Sequence, residues 1–312
     1  MKIAIIGGKT LLDTVFLNRL SDEIANIDLE CYGESGEISF KTKRIAIQDI
    51  KKINIEKFEI IINLSNENSF LLDLTKTHNA KAESKKTIYI NNIEGTLTIN
   101  GLKIEEKEEQ IIKLPNFSLE PIAKLLSITE INNLTLTINK PIAELGKEAM
   151  NQFYYEIKES QFRVIQHNGK KHSEALAFNI SFPYPTKTEE ENETNQESEE
   201  EIEIKKQLNK LTKTKTILNI CRVPVNKGSS IITTFETTKE ISKQNIINKL
   251  ESLGLIYAPR SFSTILTEND NVIYFTKIKK TEKTFSIIFM FDSIQIYITN
   301  LLNILFKLTT KN

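Results

Sequence analysis

The sequence has no tryptophan, only two cysteines and three histidines, and no net charge, because its 41 basic residues match 41 acidic ones. Each shortage excludes something. Cys31 and Cys221 cannot build a disulfide framework, and each lies in an apolar, strand-like run, as buried reduced thiols do. A balanced charge sets up no long-range field to draw in nucleic acid or an anionic membrane, so neither is an expected partner. No apolar run reads as membrane-bound. Met1 to Gly7 is too short for a signal peptide. Phe285 to Phe306 is interrupted by Asp292, Ser293, Gln295, Asn300 and Asn303, whereas a bilayer span needs about 20 mostly apolar residues. A strand followed by a buried helix is predicted there, and a cytoplasmic location is expected. Arginine occurs only at positions 19, 44, 163, 222 and 260, while lysine, isoleucine and asparagine abound. Such composition follows from AT-rich coding, so surface lysines say little about function. His78, His167 and His172 read as ordinary surface residues, and no metal site is expected.

What is present points to two domains, since a single core seldom grows beyond about 250 residues. The first third alternates strands and helices. Strands are predicted over Lys2 to Ile6, Ile27 to Tyr32, Phe58 to Leu64 and Thr87 to Ile90, with helices over Leu11 to Leu20 and Ser69 to Ala80. This alternation implies a parallel sheet with crossover helices. From about Leu134 the pattern changes to β-rich runs at Leu134 to Ile138, Ile217 to Val225, Ser230 to Phe235 and Val272 to Lys277, with a helix over Gly146 to Ile157. A mixed or antiparallel sheet with helices on one face is expected. Lys187 to Glu203 is dominated by Glu, Asn, Thr and Ser and reads as a solvated acidic insertion at about 187–200. An amphipathic helix is predicted from about Glu199, through Ile202, Leu208 and Leu211.

The opening strand–glycine–helix unit, Gly7-Gly8-Lys9-Thr10-Leu11-Leu12-Asp13, invites a dinucleotide reading. That fingerprint needs glycine where the chain turns, where backbone approaches pyrophosphate and where helix meets strand. Here Thr10 and Asp13 hold the later glycine positions. A side chain at Thr10 crowds a pyrophosphate, and a carboxylate at Asp13 can satisfy the helix start and compete with phosphate there.

That run resembles the Gly-Ala-Thr-Gly-Ala-Val-Gly loop of aspartate-semialdehyde dehydrogenases, and further segments follow in that family's order. Leu114-Pro115-Asn116-Phe117-Ser118 is similar to its Pro-Asn-Cys nucleophile loop, and Gly146-Lys147-Glu148-Ala149-Met150 to its Gly-Lys-x-Ala-Met helix start. Ala177-Phe178-Asn179-Ile180 resembles its Ala-Phe-Asn strand, and Arg222 to Ser230 its Arg-Val-Pro-Val-x-x-Gly-His-Ser segment. Phe291-Asp292-Ser293 resembles the start of its terminal Ser-Asp-Asn helix. The resemblance implies a Rossmann-like nucleotide-binding-type domain of residues 1–116 plus 294–312, and an α+β dimerisation and catalytic-type domain of residues 117–293.

The family's chemistry uses a thiolate to attack the aldehyde, a histidine as acid–base, NADP as hydride acceptor and phosphate as acyl acceptor. Carried over by position, the nucleophile falls on Phe117 and the base on Ser229, while Arg222 matches the arginine that binds the substrate carboxylate. An arginine in a strand also serves as a salt-bridge anchor, so both roles stay open for Arg222. Residual cofactor contacts fall on Gly7, Gly8, Lys9 and Thr10. Glu34 stands where an NADP 2′-phosphate is gripped and disfavours it by charge, though it suits a ribose diol. The third-strand loop Ser65 to Ser69 has no glycine, Asn91 to Gly95 offers no phosphate-binding arginine, and Ser293 replaces the nicotinamide-side asparagine. The pattern resembles the divergent Usg-type paralogues, whose nucleophile is replaced. It implies a homodimeric, catalytically inactive binding or structural protein with an unknown protein partner and no cofactor. Two alternatives stand beside it. One is a sensor of a nucleotide, NAD or NADP included, or of a small anion, using Gly7, Gly8, Lys9 and Arg222. The other is an altered oxidoreductase with Ser118 or Cys221 as nucleophile. Adjacent strand residues face opposite sides, so Cys221 turns away from whatever Arg222 faces.

Overall fold

A computed structural model describes residues 1–7, 10–24, 27–34, 36–40, 43–65, 69–81, 87–91, 96–99, 111–160, 175–183, 197–260 and 263–310. Gly8, Lys9, His167, His172 and most of the acidic insertion lie outside the described residues. The chain divides into two compact units, Met1–Pro115 with Tyr297–Asn312, and Asn116–Ile296.

The first unit opens with β1 (Lys2–Ile6), α1 (Leu11–Glu23) and β2 (Asp28–Gly33). An unpredicted hairpin follows, β3 (Gly36–Phe40) and β4 (Lys43–Asp49). Then come β5 (Ile60–Asn63), α2 (Ser69–Lys81), β6 (Ile88–Asn91), β7 (Thr96–Leu97) and β8 (Ile111–Lys113). Eight strands form one sheet in the order β3-β4-β2-β1-β5-β6-β8-β7. Every pairing is parallel except β3 with β4. β1 and β5 are buried along nearly their whole length, which is why they read as unbroken apolar runs rather than alternating ones. β3 and β4 are mostly exposed and polar. Their few apolar residues produce no strong period, and the hairpin escapes sequence reading for that reason. His78, on α2, is half-buried.

The second unit contains α3 (Leu119–Ile128), β9 (Ile131–Lys140), α4 (Lys147–Ser160), α5 (Glu199–Leu211), β10 (Lys215–Arg222) and β11 (Ser229–Thr237). It continues with α6 (Lys243–Ser252), β12 (Ile256–Tyr257), β13 (Tyr274–Thr281), β14 (Thr284–Phe291) and α7 (Ser293–Thr310), whose later turns belong to the first unit. Its mixed sheet runs β10-β9-β11-β14-β13-β12. Leu134, Leu136, Ile138, Leu218, Ile220, Ile231, Phe235, Phe285, Ile287 and Phe289 are all buried. They lie on one face by alternation, and α5 packs on β10, α6 on β13, with α3 against both helices. The architecture is α/β in the first unit and α+β in the second, as the sequence predicts. No helix among the described residues is long and apolar enough to cross a membrane.

Candidate functional site

In the first unit, Gly7 follows β1 with φ +139°, a backbone conformation that side chains rarely adopt. A Cβ there would lie 2.7 Å from Asp13 Oδ1, so the carboxylate occupies the space above this glycine. Thr10 caps α1 as half of a capping box. Asp13 N–H donates to Thr10 Oγ1 at 3.1 Å, and Thr10 N–H donates to Asp13 Oδ2 at 2.9 Å. The first turn of α1 is therefore neutralised by a buried carboxylate of the chain itself. A pyrophosphate would bring a second negative charge to the same place. Thr10 and Asp13, as placed, disfavour a pyrophosphate at this helix start.

In the second unit, strand alternation places Arg222 and Lys140 side by side on the helix-covered face, where their register pairs them. Ser229 lies one step beyond the Ser230–Asn139 pair and faces the same way. Two carboxylates complete the group. Lys140 Nζ reaches Glu144 Oε2 at 2.7 Å and Glu200 Oε1 at 2.6 Å, and Arg222 Nη2 reaches Glu200 Oε2 at 3.1 Å. Ser229 Oγ donates to Glu144 Oε1 at 2.9 Å, and the Ser293 hydroxyl also bonds Glu144. Lys140 and Glu144 are almost wholly buried, with side-chain exposures of 1% and 2%. Burial alone lowers the lysine pKa, but Glu144 and Glu200 outweigh it and hold the ammonium above its usual 10.5. Burial pushes Glu144 up, while Lys140 and the two hydroxyls together leave it below its usual 4.5.

Phe117, at the nucleophile position, is half-buried in the turn leading to α3. Ser118 beside it is buried, and its Oγ has no hydrogen-bond partner. The turn is fixed from both sides, because Asn116 N–H donates to Gln207 Oε1 and Asn116 Oδ1 accepts from Ser118 N–H. Cys221 lies on the opposite sheet face from Arg222, as alternation requires, and burial raises its thiol pKa. Cys31 is likewise a buried free thiol, pushed up to about 12 by burial and by Asp13. A cleft of about 430 Å³ lined by Leu126, Ile128, Glu130, Thr238, Lys239 and Lys249 holds none of the assigned positions. Among the described residues no group of three or more His, Cys, Asp or Glu side chains could hold a metal.

Lys140, Glu144 and Glu200 escape sequence reasoning. Lys140 and Glu144 sit four residues apart across Pro141, and Glu200 lies 60 residues beyond Lys140. One signal existed. Ser198 and Glu201 have the spacing of a capping box, which marks the start of α5 and puts Glu200 in its first turn.

Several solved structures share this architecture. Aspartate semialdehyde dehydrogenase II of Vibrio cholerae, in complex with ASA, superposes with a TM-score of 0.82 at 14% identity, covering 99% of this chain and 98% of that one. A probable aspartate-semialdehyde dehydrogenase of Pseudomonas aeruginosa gives 0.80 at 13% identity, over 98% of both chains. The Francisella tularensis enzyme gives 0.76 at 15%, over 98% of this chain and 99% of its own. The chain has the aspartate-semialdehyde dehydrogenase fold. No protein-family profile matches the sequence, and no curated protein does. At such low identity the shared feature is the fold, and chemistry has to be argued from the side chains present.

Proposed function

We propose that this chain is a non-catalytic, Usg-type member of the aspartate-semialdehyde dehydrogenase family, acting as a homodimeric binding or structural protein. The observation that carries this is the Ser229–Glu144 hydrogen bond. At the position the resemblance assigns to the acid–base, a hydroxyl donates to a carboxylate that a buried lysine already holds ionised. Such a carboxylate is a poor proton acceptor. With a phenyl ring at the nucleophile position, no covalent thioester can form. The altered-oxidoreductase alternative finds little support in Cys221, which faces away from Arg222 with a raised thiol pKa.

The protein mixed with aspartate semialdehyde, phosphate and NADP or NAD is expected to reduce cofactor no faster than buffer. Phe117→Cys is expected to leave that rate at background, since the base is still missing and Arg222 is still paired. Spectrophotometric turnover above background in the unmodified protein would reject the proposal.

The second sheet's bare face supports homodimerisation. Across β10, β9, β11 and β14, three cross-strand rows there carry no charge, in a chain that is 26% charged, and Lys279 of β13 stands at the end of the first. They are Ile217-Thr135-Thr234-Ser286, Asn219-Thr137-Ile232-Ile288 and Cys221-Asn139-Ser230-Met290. A two-fold interface brings each patch against its own copy, so a charged patch meets like charge and a neutral one does not. Ser181 bridges Arg222, and alternation sends Ile180 and Phe182 to the bare side. Ile180, Phe182, Ile217 and Ile232 are 57%, 67%, 55% and 42% exposed. They amount to roughly 400 Å² of apolar surface, near the non-polar share of a standard interface of about 800 Å² per partner. Ile232→Lys is expected to convert a dimer to a monomer in sedimentation analysis, and a monomeric unmodified protein at micromolar concentration would contradict the dimer.

A further inference from the structure

The chain is neutral as a whole, but its charges are not evenly placed. Residues 239–249 and 277–283 contain seven lysines against only two acidic residues, Glu240 and Glu282. AT-rich coding accounts for the number of lysines in the chain but not for their gathering in one place. The fold joins the two segments. Thr237 N–H donates to Lys283 O at 3.0 Å, and Lys283 Nζ donates to Thr238 O at 3.4 Å. Lys280 Nζ meets Glu240 Oε1 at 3.5 Å. All seven lysines are exposed, and this contact is their one ion pair among the described residues. Glu240 is 80% exposed, so the pair offsets little of the local charge.

The cleft of about 430 Å³ opens beside these segments, within the usual range of ligand pockets, about 300–1,000 Å³. Leu126, Ile128 and Ile241 give it a half-buried apolar lining, next to Lys239 and Lys249. Glu130 and Glu240 also line it, but Glu130 Oε2 already accepts from Thr238 Oγ1 at 3.2 Å. Lys239, Lys249, Lys280 and Lys283 outnumber these two glutamates and leave two positive charges in excess. Lys249 Nζ donates to Ile128 O at 2.9 Å, which ties α6 to the end of α3 and preforms the cleft. Both helices cover the sheet face opposite the uncharged rows, so the cleft lies clear of the proposed dimer face.

We propose that this cleft docks an acidic peptide segment of a protein partner. Lys239 and Lys249 take its carboxylates, and Leu126, Ile128 and Ile241 take an apolar side chain between them. The complementarity is of charge and of shape, an apolar recess with lysines at its rim. Nucleic acid fits less well, because the two segments contain no arginine, the residue that forks onto phosphate and base edges. A lipid surface also fits less well, because apolar residues set in a recess cannot insert into it. The proposal rests on the chain being a binding protein rather than an enzyme, and it gives that role a surface and a partner chemistry.

A fluorescein-labelled Asp-Glu-Leu-Glu-Asp peptide titrated with the full chain is expected to show a saturating rise in anisotropy that weakens as salt is added. Lys239→Glu combined with Lys249→Glu is expected to weaken binding at least about tenfold. Lys239→Glu alone breaks no ion pair within the fold and is expected to weaken binding about threefold. Lys51→Glu combined with Lys52→Glu changes the net charge equally at exposed positions of the first unit, and is expected to alter binding by less than about twofold. A peptide with serine in place of leucine is expected to bind about tenfold more weakly. No anisotropy change at millimolar protein, or an equal loss in the Lys51 and Lys52 variant, would overturn the site. Equally tight binding of a labelled oligothymidine would overturn the peptide class. These titrations use no NADP or aldehyde, so their failure is separate from the appearance of turnover.

Discussion

Lys140→Met is expected to lower the unfolding free energy by about 3–5 kcal/mol, read as a fall in the denaturant midpoint at constant slope. The lysine is wholly buried between two carboxylates, and its removal strands Glu144, which is 2% exposed, without its cation. An orphaned buried charge costs far more than the pair contributes when intact. Replacing both members tests this account. Lys140→Met with Glu144→Leu removes the charge imbalance, leaves Glu200 on Arg222, and is expected to recover most of the loss. A double variant as unstable as the single would show that packing rather than charge sets the cost.

The same pair fixes a pH dependence. Glu144 is depressed below 4.5 in the folded chain, so its contribution is present above pH 4.5 and is lost as pH falls through the folded value. Lys140 is raised above 10.5, so its contribution is complete below pH 10.5 and is lost as pH rises through the folded value. Between those limits Lys140 and Glu144 both keep their charges, and the ion pairs of Lys140 hold β9 against α5.

The second large effect is expected at Gly228. Its φ is +84°, and an added Cβ would lie 2.4 Å from the carbonyl oxygen of Thr264. That obstacle is backbone and cannot swing aside, so Gly228→Ala combines left-handed strain with a main-chain clash and is expected to cost about 2–5 kcal/mol. Gly254→Ala is the matched control. Gly254 has φ +82°, nothing within 4 Å, and an N–H bonded to Glu251 O at the end of α6. It is expected to cost about 1 kcal/mol. Equal losses in thermal melts would mean that backbone strain alone matters and that the close approach to Thr264 relaxes freely. Because Gly228 precedes Ser229, its variant should also loosen the Ser229–Glu144 bond.

The two positions that the resemblance assigns to anions are occupied by carboxylates of the chain itself. Asp13 takes the start of α1, and Glu200 takes Arg222. An internal carboxylate needs no diffusing partner and loses no translational freedom on binding, so it outcompetes a dilute ligand of similar chemistry. The same arrangement explains how a buried lysine and a half-buried arginine persist in a chain whose resemblance implies lost chemistry. They stabilise the fold only while their carboxylates stay.

Much of this was legible in the residues. The βαβ alternation, the two altered glycine positions, the aromatic ring at 117 and the hydroxyl at 229 are local facts, and Asp13 is close enough in sequence to Thr10 for its capping role to be foreseen. The opposed faces of Cys221 and Arg222 follow from strand period alone. The β3–β4 hairpin was not legible, because an exposed edge pair buries too little to impose a pattern. Nor were the partners of Arg222, which the residues alone leave open between a ligand site and a strand anchor. Glu200 reaches it across 22 residues, and Lys140 across 60. Sequence alone determined which side chains stand at the positions that the resemblance marks, since chemistry resides in single side chains. Only the tertiary structure decided which partners those side chains take, because a buried charge takes its partner from whichever strands and helices the fold brings within about 3 Å.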